Sequence, residues 1–289
     1  MINKKYKGIF YIILSAFFFS LMSMFIRLSG DIPSFQKAFF RNFVALIISV
    51  LIMMKNHEKI GFKPGNLKYL VMRAVCGTVG IICNFYAVDH LNLSDASMLN
   101  KMSPFFAILF SFILLKEKIS AVQAVIVTGA FIGSLFIVKP SSEILSSPAS
   151  LIGLLGGMGA GTAYTFVRIL GQKGENKSFI VLFFSAFSCL VFLPFLIFDY
   201  HEMTLKQLVF LILAGVSACG GQFSVTSAYC YAPAKEISVY DYSQLIFATV
   251  LGFLVFGQIP DSLSIIGYVI IISMAVAMFI YNNKKTDGH

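Results

Sequence analysis

Hydrophobic positions in this chain fall in long unbroken runs rather than in alternation. The segments "GIFYIILSAFFFSLMSMFI" (8–26), "FVALIISVLIMM" (43–54) and "LSIIGYVIIISMAVAMFIYN" (263–282) are apolar on nearly every side. A membrane β-barrel would show short segments of period two with polar inward positions, and these runs do not. About 20 apolar residues make one spanning helix. The pattern predicts ten: 8–28, 35–54, 67–89, 94–115, 120–139, 150–170, 178–198, 207–230, 236–257 and 262–282. Connections are short, and no segment is long enough to be a separate soluble domain. The first run follows Lys4, Lys5 and Lys7 and so resembles a signal peptide. It is too long for one, lacks a small-residue cleavage site and leads into further spans, so it reads as a retained helix.

Composition sharpens this picture. Of 289 residues 58% are hydrophobic and 12% charged, with a mean hydropathy of +0.85. Soluble domains carry about 25% charged residues, and surface-to-volume scaling leaves a soluble fold no way to hide so much apolar surface. The net charge of +9 would suit nucleic acid, but the basic residues follow membrane topology instead. With the amino terminus on the cytoplasmic side, that side holds Lys4, Lys5, Lys7, the cluster from Lys55 to Arg73, Lys116, Lys118, the cluster from Arg168 to Lys177, Lys235, Lys284 and Lys285. Arg27, Lys37, Arg41, Lys101, Lys139 and Lys206 remain. The bias obeys the positive-inside rule. It places the protein in the cytoplasmic membrane with both termini cytoplasmic, and it excludes a nucleic-acid partner.

The chain also repeats itself. A shift of 141 residues lays "FIRLSG" (25–30) on "FVRILG" (166–171) and "LLKEKIS" (114–120) on "VFGQIPD" (255–261), so that Glu117 faces Gln258 in the alignment. Residues 8–140 and 149–283 are the expected units, of five spans each. An odd number of spans turns the second unit over, giving inverted-topology repeats, an architecture of secondary transporters whose site lies at the midplane between repeats. In the fourth span Asn100, Ser103, Ala107 and Ser111 line one helix face. The shift carries them to Asp241, Gln244, Ala248 and Gly252 in the ninth. Helix packing accounts for the small residues of each stripe, but not for Asn100 or Asp241.

Lys101 lies on the order of 10 Å below the start of its helix at 1.5 Å per residue. A charge facing lipid there costs roughly 2.5 kcal/mol or more, unless it snorkels to the interface. Pro104 removes the backbone bond to the carbonyl of residue 100, and freed backbone in a membrane is tolerated where it lines a cavity. Residues 97–104 are therefore expected to wall a polar central cavity. Asn84 and Tyr86 in the third span, Tyr164 in the glycine-rich sixth, Gln222 in the eighth, and Tyr240 and Gln244 beside Asp241 are candidates to line it. Each tyrosine suits interfacial anchoring or core packing equally well. Arg41 is near enough to the outer surface to be a headgroup anchor. The spacing of Gly153, Gly157 and Gly161 suits close helix packing.

Cys76, Cys83, Cys189, Cys219 and Cys230 show no CxxC spacing and fall in apolar segments, so neither a disulfide framework nor a metal site is expected. No HExxH, P-loop or GxSxG motif occurs. His90 and Asp241 are the nearest approach to an acid–base pair, and the chain does not read as an enzyme. No cofactor is expected.

The five-plus-five repeat, "SPFFAILFSFILLKEKIS" closing its first half, and the pattern from Arg27 through Pro33 to Arg41 resemble the drug/metabolite transporter superfamily, EamA branch. The likeness covers nearly the whole chain. Glu117 matches the family's acidic pattern, and Gln258 departs from it in the second half. The resemblance implies a monomeric ten-helix bundle in the lipid bilayer. Its central cavity would be lined by the first, third, fourth, sixth, eighth and ninth helices and would serve alternating access of small metabolites. The residues themselves suit a carrier of a small polar or zwitterionic metabolite, in which Lys101 would meet a carboxylate or other anionic group. Asp241 would meet an amine or carry a coupled proton, and Asn100 and Gln244 would orient the solute. Glu117, at a helix end, would be structural. A passive channel through the same cavity and a non-transporting membrane subunit are the other readings; neither substrate nor direction is legible.

Overall fold

Ten helices long and apolar enough to cross a membrane make up the bundle in a computed structural model that describes residues 4–91, 93–141 and 147–287. In chain order they are α1 (Lys4–Leu28), α2 (Ser34–Lys55), α3 (Leu67–His90), a fourth span built of α4 (Leu93–Asn100) and α5 (Ser103–Leu115), then α6 (Ala121–Val138), α7 (Pro148–Gln172), α8 (Lys177–Phe198) and α9 (Leu205–Tyr231). The ninth span joins α10 (Ala234–Ile237), a 3₁₀ segment (Ser238–Tyr242) and α11 (Ser243–Phe256), and α12 (Ser262–Asp287) is the tenth. The described residues contain no strand. Local chemistry sets several helix starts. Ser120 with Gln123, and Thr204 with Gln207, form reciprocal capping boxes at α6 and α9, each satisfying orphan amide donors of a first turn.

Polarity is distributed inside out relative to a soluble protein. Val125, Leu151, Leu190 and Leu254 stand 68–70% exposed on the outside, while Asn42, Ser49, Arg73, Thr165, Ser185 and Thr226 are buried. An outer surface this apolar is covered by lipid.

The main helix pairs are α1 with α9, α3 with α7, α2 with α8, α6 with α12, α5 with α7, α1 with α11, α2 with α9, and α3 with α8. Exchanging the halves, α1 for α7 and so on, returns the same set; the contact of α7 with α9 is the main one without a counterpart. Two loop contacts orient the halves. At the carboxyl end of α2, Asn176 Nδ2 donates to Glu58 Oε2 across 2.9 Å. There the buried Glu175 carboxylate accepts from Asn66 Nδ2 at 2.7 Å and from the Lys63 amide at 3.0 Å. At the amino end of α2, Gln36 exchanges two hydrogen bonds with the backbone of His201. The carboxyl ends of α7 and α1 therefore lie at opposite ends of the bundle, which is consistent with an inverted repeat.

Candidate functional site

Both the fourth and the ninth span break at positions related by the repeat. In the fourth, helical bonding ends with the Lys101 amide on Ser97 O and restarts with Phe106 on Met102 O. Pro104 sits in the first turn of α5, where its missing N–H leaves no helical donor unmatched. The freed carbonyl of Lys101 accepts instead from Tyr242 Oη at 3.2 Å. Tyr242 is the residue that Lys101 becomes under the repeat shift, so each break supplies a partner to the other. The ninth span answers with a turn of 3₁₀ helix at Ser238–Tyr242, and Asp241 stands in it.

Across these breaks Lys101 Nζ donates to Gln244 Oε1 at 2.6 Å and pairs with Asp241 Oδ2 at 3.3 Å. The two charged side chains are 10% and 15% exposed. Beside them Asn100 Nδ2 donates to Asn84 Oδ1 at 2.9 Å, tying α4 to α3. The glycines of α7 make room for the broken span. A Cβ on Gly157 would stand 2.4 Å from Leu99 O, and one on Gly161 2.6 Å from Ser103 O. Ser20, the repeat counterpart of Gly161, meets the corresponding carbonyl by a hydrogen bond to Gln244 O at 2.9 Å.

A second polar group lies alongside. Arg73 is 2% exposed, donates through Nη2 to Gln222 Oε1 at 3.0 Å and stacks 3.7 Å above the Phe184 ring. Tyr164 lies within Coulombic reach of Arg73, Arg41 and Asp241, and stacks on Tyr229 at 4.9 Å between centroids. The Nε atoms of Arg41 and Arg73 are buried without a hydrogen-bond partner.

The structure thus brings together Lys101, Asp241 and Gln244, places Asn84 with Asn100, sets Gln222 against Arg73, and holds Tyr164 within electrostatic range of Arg41 and Arg73. Tyr86 does not join them: it is 40% exposed and stacks on His90 at 3.9 Å. Tyr240 faces away into the apolar core, its hydroxyl buried without a partner. Ala248, expected to pack, is exposed, because α11 turns another face to α1. Arg73, grouped by sequence with the cytoplasmic cluster, is inside the bundle, and the half-buried Arg41 has its Nε buried. One signal marked Arg73: Gly77 lies one turn on, and a Cβ there would meet Arg73 Nη1 at 2.4 Å. Glu117 is held by Arg168 Nε at 3.1 Å at the helix ends, away from this group.

A cavity of about 1050 Å³ opens at the Asn56–Pro64 and Gly174–Ser178 end of the bundle and runs to Phe223 and Ser227 of α9. Phe223 adjoins Gln222, while Lys101, Asp241 and Arg73 do not line this space.

The EamA-like transporter family matches the chain at residues 6–139 and 147–280. The chain is 31% identical over 273 residues to the pseudopaline exporter of Pseudomonas aeruginosa, covering 94% of this chain and 95% of that protein. It is 25% identical over 261 residues to the S-adenosylmethionine uptake transporter of Rickettsia bellii (89% and 87% covered). With human solute carrier family 35 member G1 it shares 26% over 297 residues (96% and 81% covered). A solved crystal structure superposes with a TM-score of 0.81 at 13% identity, covering 95% of this chain and 98% of its own, a likeness of fold alone. Family match and relatives alike make this a multi-pass membrane protein that transports a small molecule: the chain belongs to the EamA-like transporter family.

Proposed function

We propose that the chain is a secondary transporter that moves a small polar metabolite across the cytoplasmic membrane by alternating access, as a monomer with both termini cytoplasmic. The observation that carries this reading is the Lys101–Asp241–Gln244 cluster at two helix breaks that the repeat relates. Discontinuous helices of this kind supply unpaired backbone and dipole ends to a solute at the midplane. A buried ion pair is weak as a stabilising device, whereas an intramembrane charge is a functional group by default.

In the proposed cycle a carboxylate of the solute takes over Lys101 Nζ, and Asp241 turns to an amine or takes up a proton. The two inverted halves then rock about this fixed point. The cavity ending at Phe223 and Ser227 is the proposed entry on the cytoplasmic side. Exporters and uptake carriers both occur among the relatives' names, so direction is left to the flux measurement.

The test is counterflow in proteoliposomes, with a metabolite first identified by its thermal stabilisation of the purified protein. Trans-stimulated uptake supports alternating access; uptake without it makes the chain a passive facilitator. Transport by Asp241→Asn with an unchanged pH response excludes the proton role.

A further inference from the structure

The charges in the centre do not balance. Arg41, Arg73 and Asp241 lie within electrostatic range of Tyr164, and Lys101 pairs with Asp241; these four charged groups sum to about +2 at neutral pH, since guanidinium groups stay protonated in proteins. Asp241 is already engaged by Lys101. Arg73 meets a neutral amide and an aromatic face, and the other titratable groups within reach, Tyr164 and Cys76, are neutral in their ordinary ranges. No hydrogen bond or ion pair holds Arg41 among the described residues, and its Nε and that of Arg73 are sealed from solvent and unused. Arg73 is 2% exposed and Arg41 half-buried; a buried cation without an anionic partner is strongly unfavourable, and an arginine fork is built for an oxyanion.

We infer that Arg41 and Arg73, with Gln222 and Tyr164 as neutral donors, form a second anion-binding pole, and that the transported solute is a small molecule of net negative charge. One of its oxyanions sits on Lys101 and another between the two arginines. This rests on the transport reading above and names its substrate class: a solute with at least two carboxylate-like groups rather than a simple zwitterion, for which one cation and one anion would suffice. The repeat offers no such pole in the other half, because Arg41 and Arg73 become Leu182 and Ala214. Recognition is therefore asymmetric although the scaffold is not.

Thiol accessibility reads the sign of this site without knowing the solute. Gln222→Cys in the full chain is reacted with anionic methanethiosulfonate ethylsulfonate and with cationic methanethiosulfonate ethyltrimethylammonium, each rate normalised to a free thiol and corrected for the native cysteines. The anionic reagent should be favoured at least ~10-fold, the lower range for focusing by a one-signed cleft. Adding Arg41→Gln and Arg73→Gln should bring the ratio near unity. Glutarate should slow the labelling more than butyrate at equal concentration and ionic strength. A ratio at or below unity in the arginine-bearing protein overturns the inference, and equal protection by the two acids, or none, removes the second oxyanion. Failure of both reagents to react means that no water reaches the site, which overturns the transport reading itself. Tyr164→Cys carries the same measurement should Gln222→Cys not fold.

Discussion

Arg168 and Glu117 form an ion pair of 3.1 Å, both side chains 14% exposed, and the repeat shift maps this pair onto Arg27 and Gln258. Those two also meet, Arg27 Nη1 donating to Gln258 Oε1 at 3.2 Å, but on the exposed surface. The same latch therefore closes each end of the bundle, a buried ion pair at one end and an exposed arginine on a neutral amide at the other. Arg168 is held further by the carbonyls of Tyr229 and Cys230, each at 3.4 Å.

Removing one partner of the buried latch should be expensive. Glu117→Ala strands the Arg168 guanidinium and is expected to cost about 3–5 kcal/mol, whereas replacing both residues by apolar ones of similar size recovers most of that. Gln258→Glu at the exposed end should add no more than about 1 kcal/mol. Thermal unfolding in detergent measures all three; a Glu117→Ala protein as stable as the parent would contradict the burial argument.

The central pair separates stability from transport. Asp241→Ala should destabilise the protein by leaving Lys101 without its carboxylate, and Lys101→Met combined with Asp241→Leu should restore stability. Neither protein should transport, because the solute needs both charges. A double variant that transports at the parent rate would reduce the pair to a structural role.

Close helix packing gives a sharp steric prediction. Valine at position 161 would drive a Cβ to 2.6 Å from Ser103 O and 2.7 Å from the Ala107 amide. Overpacking of this kind costs about 1–3 kcal/mol or more. Gly61→Ala is the control, since nothing lies within 4 Å of its Cβ position, and its stability should change by less than about 0.5 kcal/mol. Equal melting temperatures for the two variants would refute the close approach of α7 to α5.

At the loop end of α12 the exposed Asp261 carboxylate pairs with Lys139 and caps Ser264. The Lys139 ammonium and then the Ser264 hydroxyl and amide lower its pKa from 3.8 to about 2. A lowered carboxylate pKa stabilises the fold above the unfolded value and loses that contribution as pH falls through the folded one. The stability difference between the parent and Asp261→Asn should thus be full above pH 4 and fade toward pH 2. A difference that instead grew on acidification would reverse the assignment.

The spans and the fold class were legible from the chain alone. A spanning helix is a contiguous run of apolar residues whose transfer free energies add along the backbone, so no distant partner is needed to recognise it. The two matches of the family model, at 6–139 and 147–280, are consistent with the repeat read from one fixed shift, which relates Arg27 with Gln258 to Arg168 with Glu117. Lys101 and Asp241 also announced themselves, since an intramembrane charge needs a reason wherever it points. Which face each helix turns inward was a different matter. In lipid both faces are apolar, so the periodicity that orients a soluble helix carries little information. Sequence alone therefore points Tyr86, Tyr240 and Ala248 toward the site or the packing seam and Arg73 outside it, whereas the neighbours of α3 and of the ninth span turn them otherwise. The asymmetric pair of arginines beside a symmetric pair of helix breaks exists only once α2, α3, α7 and α9 converge, because charges hundreds of atoms apart along the chain acquire a common field only through packing.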